Sequence, residues 1–298
     1  MILPMRWICA VFFSTMIAVC PASASEDWTP LIQRLVADKF GEKDIQTLFD
    51  HPAVKFDPNA MSCKLRDLIN SRFKKPSTAT AGKYKTAYDR FLKPALIAKA
   101  RSYTQENIET LEDAEKSFCV PKEVIVAILL VETDLEVFLG AKPAFNTLAS
   151  MALSNHLERV RPYLSPDLIT PETEDFAEKK CNEKSDWAYQ ELKALIRYAS
   201  SKGTDPRSIP GSVYGAIGIC QFMPSKISSF GIDADNDGYI DVFSKKDAFF
   251  SIANYLHRNG WKCKMSNNSQ HKIIMSYNHS NIYANTVLQV AEMIKQND

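Results

Sequence analysis

Three groups of residues in this sequence have the types and spacing to do chemistry. The first is Glu132, which ends the uninterrupted apolar run Val124–Val131. On a helix its neighbours three and four residues away are Ile128, Leu129, Leu135 and Glu136, so most of its surroundings are apolar and none is basic. A carboxyl group taken out of water with no cation beside it keeps its proton to higher pH. That is what a general acid needs near neutrality. The opposing reading is a helix that surfaces here and leaves Glu132 solvated.

The second group is the stretch GSVYGAIGICQFMPS, where Ser212 and Gln221 sit among glycines. Six of the ten glycines fall between Gly203 and Gly238, and glycine lets backbone turn sharply or approach a ligand closely, so this region reads as a site. Gly215 and Gly218 are expected to bring backbone close to a ligand. A hydroxyl and a carboxamide can each donate and accept, which suits a polar ligand. The third group is Asp233, Asp235 and Asp237 followed by Gly238. Oxygen ligands at alternate positions with glycine at the sixth match an EF-hand calcium loop, and Tyr239 would offer its backbone carbonyl. Ser244 stands at the twelfth position, where a glutamate is usual. A solvated acidic turn is the competing explanation.

The elements that must position these groups are helical, and the expected fold class is all-α. Leu31, Ile32, Leu35, Val36 and Phe40 share one helical face, with Gly41 as a stop and a second helix from about Asp44. Pro76–Gly82 reads as a loop. A helical stretch follows, interrupted at Pro94, and Pro121 opens the helix that carries Glu132. Further helices are predicted over about Ala144–Ser154, Asp186–Ser201 closing at Gly203, Lys246–Asn259 and Tyr283–Gln296.

Arg6, a short apolar core and the small-residue pattern Ala22–Ala24 mark residues 1–24 as a cleavable export signal, implying a periplasmic protein. A lipid anchor on Cys20 is disfavoured because Val19 is bulkier than the small residue such sites usually carry. With 36 Lys and Arg against 35 Asp and Glu, nothing selects nucleic acid or an anionic membrane as partner. Export places Cys63, Cys119, Cys181, Cys220 and Cys263 in an oxidising compartment. At least one disulfide is expected among Cys63, Cys119, Cys181 and Cys263, with Cys220 free in the tight loop.

Four blocks in this order, VPKEVIVAILLVET, GSVYGAIGICQFMPS, DADNDGYIDVFSKKDAFFSIANYLHRNGW and SYNHSNIYANTVLQVA, make the chain resemble the membrane-bound lytic transglycosylase B family of peptidoglycan-cleaving enzymes, glycoside hydrolase family 103. The resemblance implies a lysozyme-like catalytic domain over residues 119–298, an N-terminal helical region over 25–118 packed on it, and an EF-hand-like loop over 233–247. It also implies Glu132 as sole acid and base, with Ser212, Gln221, Tyr277 and Asn278 binding substrate. Asp247 would be the closing carboxylate of a structural calcium site, with Asp233, Asp235, Asp237 and Tyr239. The expected partner is the peptidoglycan glycan strand, cleaved between MurNAc and GlcNAc to give 1,6-anhydromuramyl ends. A monomer working beside other cell-wall enzymes is the expected state. A lysozyme-type hydrolase and a noncatalytic, calcium-stabilised glycan-binding protein are the alternatives. Glu136 stands where the family has glycine, Cys220 replaces a tyrosine, and the segment between Trp261 and Tyr277 is shorter than usual.

Overall fold

The structure, a computed structural model, describes residues 27–73 and 88–296. The export signal at 1–24, the Cys20 alternative and the loop at Pro76–Gly82 lie outside the described residues. Helices dominate: α1 (Thr29–Ala37), α2 (Glu42–Phe49), α3 (Asn59–Phe73), α4 (Pro94–Glu106), α5 (Ile108–Phe118), α6 (Lys122–Thr133), α7 (Ala144–Leu153), α8 (Glu174–Ser201), α9 (Pro224–Phe230), α10 (Lys245–Arg258), α11 (Asn267–Tyr277) and α12 (Asn281–Lys295). Short helical turns fill some of the connections. Among the described residues the two strands, β1 (Lys142–Pro143) and β2 (Pro210–Gly211), are two residues each and pair antiparallel.

α6 is the centre of the molecule. Every residue from Val124 to Leu130 is buried, so this helix is apolar on all sides rather than along one stripe. Burying each aliphatic side chain is worth roughly 1.5–3 kcal/mol. The neighbours that cover it come from both ends of the chain: α4 and α5 pack on it before, α10 and α12 after. Cys119, just ahead of α6, is bonded to Cys263, and the Trp261 indole N–H donates to the Cys119 carbonyl at 3.0 Å. The bridge spans 144 residues, a loop whose closure stabilises by about 4–5 kcal/mol on chain-entropy grounds. One disulfide with Cys220 buried and free agrees with the sequence reading; Cys63 and Cys181 are also free.

Three local expectations needed correction. Gly41 caps the N-terminus of α2 in extended conformation instead of stopping α1, and Lys39 takes the left-handed turn. α8 begins at Glu174, twelve residues before the expected start, because its first half buries only the small side chains Ala177, Cys181 and Ser185 at four-residue spacing. Their low hydrophobicity hides the helical face. Finally, α6 ends at Thr133: Asp134, Leu135 and Glu136 all have positive φ, so the chain leaves the helix before Glu136 can stand one turn beyond Glu132.

Candidate active site

Glu132 sits on the last turn of α6, where the buried helix meets a cavity of about 420 Å³. The cavity is lined by Glu132, Phe138 and Thr147, by Ser212, Val213 and Gln221 of the glycine-rich segment, and by Asp57, Asn59 and Lys142 at its rim. The two ends of the chain's chemistry, Glu132 and the Ser212–Gln221 pair, therefore do converge.

Loss of water pushes the Glu132 carboxyl up to about 7, against two opposing influences. The Tyr283 hydroxyl donates to Glu132 Oε1 at 2.7 Å, and the positive charge of Lys226 acts at longer range. Tyr283 is itself buried at the start of α12, and burial holds its phenol well above the ordinary tyrosine range, so it stays a donor. Lys226 reaches in from α9, with Nζ 3.4 Å from Tyr255 Oη and 4.7 Å from the centre of that ring. Nothing close to Glu132 along the chain signals either neighbour, because both come from elements far from α6. Tyr283 did lie within the fourth block of the resemblance.

Ser212 follows β2 at a tight turn in which its Oγ accepts from the Ala216 N–H at 3.0 Å. That leaves its O–H to donate outward. Gln221 has φ +49 and its Nε2 donates to the carbonyl of Gly218 at 2.9 Å, with Leu139 O at 3.5 Å. The amino end of the carboxamide is thus committed to backbone, and Oε1 is the atom free to accept from a ligand.

Gly215 and Gly218 also allow close packing within the protein. A Cβ on Gly218 would lie 2.5 Å from the Val242 carbonyl oxygen, and one on Gly215 would lie 2.7 Å from the Leu148 side chain. Both have positive φ, and both let this segment close against neighbouring protein. The Ile219 N–H also donates to the Val242 carbonyl at 2.8 Å.

Tyr277 and Asn278 do not line the cavity. The Tyr277 hydroxyl donates to the Cys220 carbonyl, and its ring packs with Phe222 and Tyr255 at centroid distances of 5.7 and 5.1 Å. Its visible work is to hold the backbone beside Gln221. Asn278 is exposed at the C-terminus of α11.

The other acids near Glu132 are engaged. Lys99 pairs with Asp134 at 3.1 Å; Tyr103 donates to Glu136, which also pairs with Lys245 at 3.4 Å. Asp57, far away in sequence, reaches the cavity rim paired with Lys142, and that lysine and the Asn59 N–H hold its carboxyl below the ordinary range against the effect of burial.

In the acidic loop, carboxylate oxygens of Asp233, Asp235 and Asp237 lie within 4.8 Å of one another. Asp233 accepts from the N–H groups of Asp237 and Gly238 at 3.2 and 3.0 Å, which curls the loop around them. Asp247 is not part of this trio. Only 1% exposed, it accepts from the Ala234 N–H at 2.9 Å and the Asp241 N–H at 2.6 Å, clamping the two ends of the loop. Burial, with Asp235 and Asp233 nearby, pushes its carboxyl up despite those bonds. Tyr239 is exposed. Three converging carboxylates with no cation in the trio fit a hard, oxygen-seeking ion such as calcium.

Residues 23–270 match the family model of the transglycosylase SLT domain. Membrane-bound lytic murein transglycosylase B of Escherichia coli K12 is 27% identical over 187 residues, 63% of this chain; the match spans 45% of that protein, less than half of its length. Two solved structures share the fold. Escherichia coli lytic transglycosylase Slt35 in complex with calcium is 19% identical with a TM-score of 0.69, covering 91% of this chain and 93% of its own. SltB3 from Pseudomonas aeruginosa in complex with NAG-anhNAM-pentapeptide is 18% identical with a TM-score of 0.68, covering 91% and 79%. The all-α, lysozyme-like expectation and the resemblance to the lytic transglycosylase B family are both upheld. With most of its length matched, the chain belongs to the transglycosylase SLT domain family.

Proposed function

We propose that this protein is a lytic transglycosylase that cleaves the MurNAc–GlcNAc bond of peptidoglycan without water. The observation that carries the reading is the enclosed carboxyl of Glu132, pushed up to about 7 and held by Tyr283, at a cavity shared with Ser212 and Gln221. Such a group starts protonated and gives its proton to the glycosidic oxygen. As the carboxylate forms, the Tyr283 hydroxyl and the charge of Lys226 stabilise it. It then removes the proton of the muramyl C6 hydroxyl as that oxygen attacks C1, giving a 1,6-anhydro end. Positive charge at C1 is met by the N-acetyl oxygen of the substrate itself. Ser212 Oγ–H and Gln221 Oε1 are suited to orient that acetamido group, one as donor and one as acceptor. Tyr277 supports them from behind; Asn278 is assigned to the outer substrate path.

A hydrolase with a second carboxylate is the other reading, and one observation favours it: Asp57 at the rim of the same cavity. Its pairing with Lys142 and Asn59 argues for a positioning role instead. Digestion of purified sacculi, with product ends identified by mass spectrometry, separates the two. Anhydromuramyl ends, lighter by one water, support the transglycosylase; reducing muramic acid as the main end supports hydrolysis.

The remaining assignments follow from this reading. Residues 25–118 form a helical region that braces the catalytic domain at 119–298, and the protein acts outside the cytoplasm on glycan strands. Asp233, Asp235, Asp237 and the Tyr239 carbonyl hold a calcium ion, with Asp247 closing the loop from the first turn of α10. Bound calcium supplies a crosslink and takes no part in cleavage. Adding chelator should lower the melting temperature, and calcium should restore it; an unchanged melting curve rejects the metal.

A further inference from the structure

Immediately after Glu132 the backbone does something costly. Asp134, Leu135 and Glu136 take positive φ in succession, at 52, 58 and 73°, and none of them is glycine. Such strain persists only where the surroundings overdetermine it, and it gathers at functional sites. Here the surroundings do so on every residue. Lys99 of α4 holds Asp134 through both its carboxylate and its carbonyl, the latter at 3.0 Å. Leu135 is buried. Tyr103 of α4 and Lys245 of α10 hold Glu136, whose N–H also donates to Thr133 Oγ1 at 3.1 Å.

What this turn presents is Phe138. The residue is 59% exposed, although its N–H is fixed to the Thr133 carbonyl at 3.0 Å. Val213, beside Ser212, is 58% exposed. Both line the cavity that holds Glu132, one from each of the two segments that build it. Exposed apolar side chains scattered singly need no explanation, but two that meet at one ligand cavity do. An equatorially substituted pyranose ring carries its hydroxyls at the edge and C–H groups on its faces. Those C–H groups match the negative face of an aromatic ring.

We infer that Phe138 and Val213 form a platform for the C–H face of one sugar ring of the glycan, adjacent to the scissile bond, and that the strained turn exists to aim Phe138 there. The inference rests on the functional reading above and adds a positioning element to it. A hydrogen bond donated by Ser212 and one accepted by Gln221 Oε1 select what lies at the edge of the ring, whereas the platform sets its height above Glu132. The natural consequence is selectivity for flat, equatorially linked sugars over bent ones.

The test uses the full chain and glycan oligomers of defined length. F138A should raise KM about tenfold while kcat changes by less than threefold, and F138W should restore KM. In the Glu132→Gln background, F138A should weaken glycan binding by the same factor, which a turnover effect alone would not do. V213S should move KM in the same direction by a smaller factor. Because both residues are exposed, melting temperatures should match the parent within a degree or so. Unchanged KM and binding in F138A, with a wild-type chain that cleaves glycan, overturns this inference alone. A wild-type chain that neither cleaves nor binds glycan overturns the functional reading and this inference with it.

Discussion

The two segments that meet at the cavity are built on opposite principles. α6 holds Glu132 by being buried on all sides, and its own apolar residues provide most of what fixes it. The segment from Ile209 to Phe243, apart from the short α9, has almost no regular structure and is fixed by folding on itself, Val242 against Gly218, and by other parts of the chain, Leu148 against Gly215 and Tyr277 on the Cys220 carbonyl. A carboxyl that must stay protonated requires exclusion of water, which a greasy helix gives. Side chains that line a cavity from an irregular segment require backbone turns that a helix cannot make, so they sit on glycines and borrowed contacts.

That contrast can be broken from either side. Glu132→Gln should lower turnover by about a thousandfold or more, as expected for loss of a general acid and base, while glycan binding and fold survive. Circular dichroism with single-turnover assays checks both halves. Gly218→Ala, by contrast, should act through structure. A methyl 2.5 Å from the Val242 oxygen at φ +75 cannot be accommodated in place, so a cost of about 2–4 kcal/mol in denaturant unfolding is expected, with activity falling as Gln221 moves.

A carboxyl raised from 4.5 to about 7 in the folded protein binds its proton more tightly there than in the unfolded chain. Its stability cost is therefore absent below pH 4.5, grows through the interval, and is complete above about 7. Glu132→Gln lacks that cost, so it should be more stable than the parent by about 1–3 kcal/mol at pH 8, with the difference vanishing near pH 4. Equal stability at both pH values contradicts it. The smallest effect belongs to Tyr277→Phe, which removes one hydrogen bond and leaves the ring cluster intact. A loss of about 1 kcal/mol is expected, with a several-fold fall in kcat.

The same contrast explains what could be read in the sequence. Glu132 was legible because the reason for its position, the apolar run before it, is contiguous with it. Long-period helices such as α7 and α10 were legible for the same reason, whereas the first half of α8 was not, because small residues face its core. Ser212 and Gln221 were placed by resemblance and do meet Glu132. Tyr283, Lys226 and Asp57 were missed: nothing within a few residues of any of them signals that α12, α9 and the turn before α3 converge on the end of α6. Glu136 was misjudged as a neighbour one turn away, because three left-handed residues in succession have no signature in a chain without glycine there.

On the proposed reading, burial keeps a single carboxyl protonated near neutral pH, where it can act first as acid and then as base. Carbon-13 titration of the Glu132 side-chain carboxyl in the full chain measures this without reference to turnover. A midpoint near 7, moving further up in Tyr283→Phe as the donated hydrogen bond is lost, is the predicted result. A midpoint at the ordinary glutamate value near 4.5 would mean that Glu132 is solvated and already ionised, and the acid step assigned to it would have to be abandoned.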